Sequence, residues 1–261
     1  MVLDELAILD FNAVCNKAAQ ENLDFHGDHT IRILSVLKLM NEQQIKRTGR
    51  PYDLISVHEI SYKALQLLEP FMLNVYGYRL IYGDPLYWKS LRHKNRYTCL
   101  TVVFLRNTIP YTHTFGYFGF TTVLRYCWIK VPVKGYYITI RTSHVPCCSD
   151  DSKTHLKEQI DRKKRMLQAE VSFQKEMVDQ KSLAVSIGDF NGDANEDCYC
   201  KDLYKEFAFR DLITEPTFGN KHLDHVFVSD FSTSKLSVEA NVLPDMYLKV
   251  TDHKMIDINI K

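Results

Sequence analysis

The stretch Leu183-Ala184-Val185-Ser186-Ile187-Gly188-Asp189-Phe190-Asn191 decides how this chain reads. Its first part is an apolar run of strand length, which argues for a buried strand. The run ends in Gly-Asp-Phe-Asn, so a carboxylate and an amide leave the strand end two residues apart. Side chains at i and i+2 of an extended segment point to the same side, which turns Asp189 and Asn191 toward one point in space. Asp and Asn also end strands for ordinary turn reasons. The weight of the motif therefore rests on residues elsewhere in the chain.

Seven other runs read as strands: 7–12, 53–59, 99–106, 123–131, 136–143, 225–229 and 255–260. Several are rich in Val, Ile, Tyr and Phe. The turn Pro132-Val133-Lys134-Gly135 joins two of them as a hairpin. Helical spacing of apolar residues covers 29–47 and 154–179, and short helices fit 61–68 and 204–207. On the long helix, Leu156, Ile160, Leu167, Val171 and Val178 form the apolar stripe. Lys157, Arg162, Lys163, Lys164 and Arg165 are expected on its wet face. Strands mixed with both helices and hairpins indicate an α/β sandwich. There is no repeat, low-complexity tract or linker, so residues 1–261 are expected to form one domain.

The chain has 261 residues, 45% of them hydrophobic and 12% aromatic, enough for a sizeable core. Its formal net charge of +1 excludes a general polycation, so any nucleic-acid contact runs through a local patch. No apolar run approaches membrane-spanning length. The start Met1-Val2-Leu3-Asp4-Glu5-Leu6 carries two acids and no basic segment, unlike a secretory signal. The seven cysteines are odd in number and scattered. Cys198-Tyr199-Cys200 lacks a second pair at zinc-ribbon spacing and reads as loop thiols. A reducing, intracellular and cytoplasmic setting is the expectation.

Six strand ends or nearby turns carry a polar residue with chemical potential. They are Asn12, Glu59, His144, Asp189 with Asn191, Asp224, and Asp252-His253. Singly, each has a bland reading as a strand terminator, helix cap or turn acid. In this order they read Asp10-Phe11-Asn12, His58-Glu59, Ser143-His144, Gly188-Asp189-Phe190-Asn191, Leu223-Asp224-His225 and Thr251-Asp252-His253. So arranged, the chain resembles the endonuclease/exonuclease/phosphatase superfamily, the DNase I-like fold, from about residue 7 to 260. The resemblance implies a four-layered α/β sandwich, two packed mixed β-sheets flanked by helices. It departs from the pattern at His58, where the family has Gln, and at Thr251, where it has Ser; neither removes a ligand. Val14 and Cys147 stand where AP endonucleases place an acid and an Asn. That argues for a DNase-like or general phosphodiesterase site.

A phosphodiester anion resists attack by water, and cleaving it requires charge neutralisation and an activated nucleophile. Hard oxygen ligands select Mg²⁺, with Mn²⁺ as the alternative, and such an ion takes only one or two carboxylates from the protein. Glu59 is the first candidate ligand, with Asn12 and Asp252 beside it; the resemblance implies the same three. Asp189 is the candidate for orienting or deprotonating the attacking water, with Asn191 holding that water or a phosphate oxygen. His253 needs a carboxylate to fix its tautomer, and Asp224 is the natural partner. His144 would contact a non-bridging oxygen or assist the leaving group. Arg125 reads equally as a phosphate contact or a surface ion pair. His225 reads as a core aromatic, and Asp28 or Thr30 as a cap for the helix that follows.

The family's substrates range widely, so fold and site do not fix this one. The segment Tyr87-Trp88-Lys89-Ser90-Leu91-Arg92-His93-Lys94-Asn95-Arg96 interleaves aromatics with cations. Trp88 would stack on a base while Arg92 and Arg96 meet phosphates; a solvated basic loop is the alternative. The expected function is a metal-dependent nuclease acting on nucleic acid, DNA above all. The alternatives are a phosphoesterase for a small or lipid phosphate and a catalytically idle binding module. Nothing in the sequence speaks to oligomeric state.

Overall fold

Three apolar clusters hold four layers together. The computed structural model describes residues 3–14, 29–81, 100–116, 126–148, 156–179, 183–195, 199–206, 209–229, 236–244 and 251–261. Among them, twelve strands form two six-stranded sheets. The first runs β11 (Val238–Val242), β12 (Ile256–Ile260), β1 (Leu6–Asn12), β2 (Leu54–Ile60), β4 (Leu100–Arg106), β3 (Tyr78–Ile81). The second runs β5 (Thr112–Gly116), β6 (Tyr126–Val133), β7 (Tyr136–His144), β8 (Leu183–Asp189), β10 (Asp224–Ser229), β9 (Phe209–Asp211). Both are mixed: β1–β2 and β7–β8 pair parallel, and their other neighbours pair antiparallel.

The side-chain period of two explains the layering. On β1, Leu6 and Ile8 face the space between the sheets, where they join Leu54, Ile140, Val185, Ile187 and Val226. The alternate residues Ala7, Leu9 and Phe11 face outward. There they meet α1 (His29–Thr48) and α2 (Tyr62–Tyr76) through Ile33, Leu37, Leu68 and Met72. On the far side of the second sheet, Ala184 and Phe227 pack with Met166, Leu167 and Phe173 of α3 (Leu156–Asp179) and Tyr204 of α4 (Lys201–Lys205). This is the four-layered α/β sandwich that the sequence led us to expect.

Several local readings change. The helix expected at 61–68 is longer: capped by Ser61, it runs through Pro70 and stops at Gly77, whose left-handed φ of 71° closes the end. Lys163 is not on the wet face of α3. It is buried, and its ammonium donates to the Asn191 carbonyl at 2.8 Å. The 134–135 turn is as expected, with Lys134 and Gly135 both at positive φ between β6 and β7. Thr30 lies inside α1 instead of capping it, and Asp28 lies outside the described residues.

Gly188 has no room for a side chain. Its φ is 128°, and a Cβ there would lie 2.2 Å from the Ser143 carbonyl oxygen and 2.7 Å from the His58 ring. Backbone on one side and a buried ring on the other leave no room to yield. Gly188→Ala should therefore destabilise the fold by about 3 kcal/mol or more, read by chemical denaturation. A variant within about 0.5 kcal/mol of the parent protein would contradict this packing.

Candidate active site

The strand directions bring the polar residues to one rim. β1, β2, β7 and β8 end there, and β10 and β12 begin there, as the register shows. Asn12 lies opposite His58, His144 opposite Asp189, Asp224 opposite Asp189, and Asp10 opposite Ile256. The inner face of the sandwich thus changes character along its length. Leu6 and Ile8 give way to Asp10 and Asn12 on the same side of β1, and Val185 and Ile187 give way to Asp189 on β8. At the rim Asn12 Nδ2 donates across the sheets to Asp189 Oδ2 at 3.1 Å, and just behind it Ser56 and Thr142 join the sheets through their hydroxyls.

Glu59 reaches the rim through an irregularity in β2. The β2–β4 register shifts between Val57 and Ile60, and Glu59 takes a left-handed φ of 50°. A non-glycine residue seldom adopts that conformation, so the surrounding structure must impose it. The Glu59 carboxylate lies 3.3 Å from His144 Nε2, which is itself 3.7 Å from Asp189 Oδ2. His144 thus stands between two acids. Asn191 departs from the extended geometry expected for it. At φ 53° it turns back, its N–H donating to Asp189 Oδ1 at 2.8 Å and its Nδ2 to the Val145 carbonyl at 2.8 Å. Its first role is to hold the turn that fixes Asp189.

On the opposite flank, His253 Nδ1 lies 2.7 Å from Asp224 Oδ2, so Nδ1 carries the proton. Nε2 is then left facing Asp252 at 3.9 Å and Asp189 at 4.0 Å. Burial alone would push the His253 imidazole down, but the carboxylates of Asp224 and Asp189 overcome it and hold the ring up at about 10. Burial would raise Asp224, yet His253, by charge and hydrogen bond, keeps it below the ordinary range. Asp189 goes the other way. Its burial is stronger than the pull of His253, and with Asp224 and Glu59 nearby it rises to about 7.

Two overlapping sets of side chains can share a cation: Glu59, His144 and Asp189, and Asp189, Asp224 and His253. Each set keeps its ligand atoms within 4.8 Å of one another. Asp252 stands at the edge of this cluster, held above its ordinary range by burial, with Glu59 and Asp224 adding to it against the pull of His253. Its Oδ1 is buried and accepts no hydrogen bond among the described residues. An orphaned buried carboxylate oxygen beside further hard oxygens fits a divalent metal.

No protein-family model matches the sequence, and no curated protein matches it. Solved structures do. D. rerio TDP2 complexed with single strand DNA product aligns over 98% of this chain and 99% of its own, with a TM-score of 0.64 and 13% identity. The human Nocturnin catalytic domain with bound sulfate anion aligns over 100% and 95%, with a TM-score of 0.63 and 15% identity. An endonuclease/exonuclease/phosphatase family protein from Bacteroides thetaiotaomicron aligns over 98% and 97%, with a TM-score of 0.60 and 16% identity. The chain has the endonuclease/exonuclease/phosphatase, or DNase I-like, fold.

In this DNase I-like sandwich, Asn12, Glu59, His144, Asp189, Asn191, Asp224, Asp252 and His253 all stand at the one rim. Arg125, Trp88, Arg92 and Arg96 lie outside the described residues. His225 is buried as expected, stacked on Phe227, but it is also bonded: Nδ1 meets Asp211 at 2.6 Å and Nε2 the Gly192 carbonyl at 3.2 Å. Sequence reasoning gave no role to Asp10, His58 or Lys163, all buried around the site. The signal that marks the first two is polarity at inward strand positions, two residues before Asn12 and one before Glu59.

The His253–Asp224 pair has a consequence for pH. The folded-state value of His253 is raised, so its stabilising contribution is complete below about 6.5 and is lost as pH climbs through about 10. In metal-free protein, NMR of the ring should show His253 still charged at pH 8. Asp224→Asn keeps an acceptor but removes the charge, and its midpoint should fall below about 9. An unchanged midpoint in that variant would remove Asp224 as the cause.

Proposed function

We propose that this chain is a divalent-metal-dependent phosphodiesterase that hydrolyses nucleic acid, DNA in the first instance. One observation carries the reading: hard oxygen ligands with an orphaned carboxylate oxygen stand beside an imidazolium–carboxylate pair on the rim of a DNase I-like sandwich. Glu59 and Asp252 would supply the carboxylates for Mg²⁺ or Mn²⁺. Asn12 Oδ1 accepts from the Val14 N–H and has a second lone pair to offer. When bound, the ion neutralises phosphate charge as a Lewis acid.

The protein's own groups divide the remaining work. Asp189, held near neutrality, accepts the proton of the attacking water, with Asn12 Nδ2 and the Asn191 N–H fixing its two oxygens. His253, charged through its contact with Asp224, donates from Nε2 to a phosphate oxygen as negative charge grows there. His144 donates from between Glu59 and Asp189 to a second oxygen. A cavity of about 500 Å³ opens beside His253 and Asn191, lined by Lys221, Phe218 and Tyr199, a cation and two aromatics for a phosphate and a base. The TDP2 neighbour's complex with single strand DNA product fits the same choice of substrate. The cavity's size also suits one small phosphate ester, which is the second reading.

Supercoiled plasmid incubated with protein and Mg²⁺ should be nicked, and EDTA should abolish nicking. Glu59→Ala, Asp189→Ala and His253→Ala should each lower the rate by about 10²-fold or more. Nicking that survives EDTA, or all three substitutions, would refute the mechanism. Inert DNA with turnover of inositol phosphates or sphingomyelin would move the substrate to the second reading.

A further inference from the structure

We propose that His58 is a positioning residue that holds Glu59 and Asp189 at their working places. The inference deepens the phosphodiesterase reading and rests on it for which ligands matter.

The His58 ring is fully buried between the two sheets and touches both. Nε2 lies 2.8 Å from Asp10 Oδ1 on β1, 3.0 Å from Ser56 Oγ on β2 and 3.4 Å from Thr142 Oγ1 on β7. Nδ1 lies 3.5 Å from Thr101 Oγ1 on β4. The ring also fills the space that a Cβ on Gly188 of β8 would need. The main chain takes part too, since the His58 carbonyl accepts the Ala13 N–H at 2.8 Å. One residue thus spans five strands, and the residues after it on β2 and β8 are Glu59 and Asp189.

An apolar filler cannot do the same. Asp10 is almost wholly buried, and His58 is its side-chain partner among the described residues. Removing the donor leaves a buried carboxylate without compensation, which drives local rearrangement. The irregularity that turns Glu59 outward begins at this ring, with the register break between Val57 and Ile60. A left-handed φ at Glu59 persists only where its surroundings over-determine it. The edge of the ring also faces the His144 ring, with centroids 6.4 Å apart, so His144 leans on it as well. Loosening His58 therefore acts on Glu59, His144 and Asp189 together, although its own ring meets no substrate.

The test compares His58→Leu, His58→Asn and His58→Gln with the parent protein. Circular dichroism reports folding, calorimetry reports Mn²⁺ affinity without substrate, and bis(4-nitrophenyl) phosphate reports turnover. Leu fills the space without a donor, and Asn is too short to reach Asp10. Both should weaken Mn²⁺ binding by about 10-fold or more while folded. Gln carries an amide donor of similar reach and should stay within about threefold of the parent, a rescue that volume alone does not predict. Folded Leu and Asn variants with parental Mn²⁺ affinity would overturn the positioning role while leaving the enzyme reading intact. Failure of both to fold would also overturn it, because the residue would then serve folding alone. A parent protein that neither binds Mn²⁺ nor cleaves the diester would bring down the enzyme reading and this inference with it.

Discussion

The hydrogen bond from Asn12 to Asp189 joins residues 177 positions apart and ties one sheet's rim to the other's. It exists because each sheet contains one parallel pair, β1–β2 and β7–β8, whose ends point the same way. Parallel pairs need crossover connections, and here these include α1 and α3. Apolar packing between the sheets sets their spacing, and that spacing decides which rim side chains can touch. The site is therefore a property of the sandwich as a whole.

Placing so many polar groups in a low-dielectric interior has a cost, and the rim meets it by pairing opposite charges. Asp224 is matched by His253, and Asp10 by His58. Farther back, Glu170 of α3 receives the Arg141 guanidinium at 2.7 Å and the hydroxyl of Ser143. The turn after Asp189 is held from two sides. Lys163 donates to the Asn191 carbonyl, and His225, pinned by Asp211, donates to the Gly192 carbonyl. Burial would push the His225 imidazole down, but the hydrogen bond and charge of Asp211 hold it above its ordinary range. At the cleft, the carboxylate oxygen left without a hydrogen-bond partner among the described residues is Asp252 Oδ1.

Much of this was legible in the sequence, and what was missed has a physical reason. The eight runs read as strands are the eight interior strands. The four that went unread, β3, β5, β9 and β11, are the edges of the two sheets. An edge strand is short or covered on one side at most, so it carries no continuous apolar run. β11 alternates only between half-buried and exposed. The rim residues could be found because each lies at the end of an interior strand or in the turn beside it. The residues behind them are harder to see. Lys163 falls in a basic cluster on a helix, where the ordinary expectation is a wet face, and nothing local shows that a carbonyl lies within its reach. His58 is conspicuous only once Asp10 is known to face it across β1 and β2. Asn191 was placed by assuming extended backbone, whereas the strand ends at Asp189 and the turn reverses it.

Crystals grown with MnCl₂ and measured for anomalous scattering would test the central claim most directly. The account predicts one strong peak at the rim, within coordination distance of the Glu59 and Asp252 carboxylates and adjacent to Asp189. Full Mn²⁺ occupancy elsewhere on the chain, with the rim empty and Asp252 Oδ1 still orphaned, would contradict it.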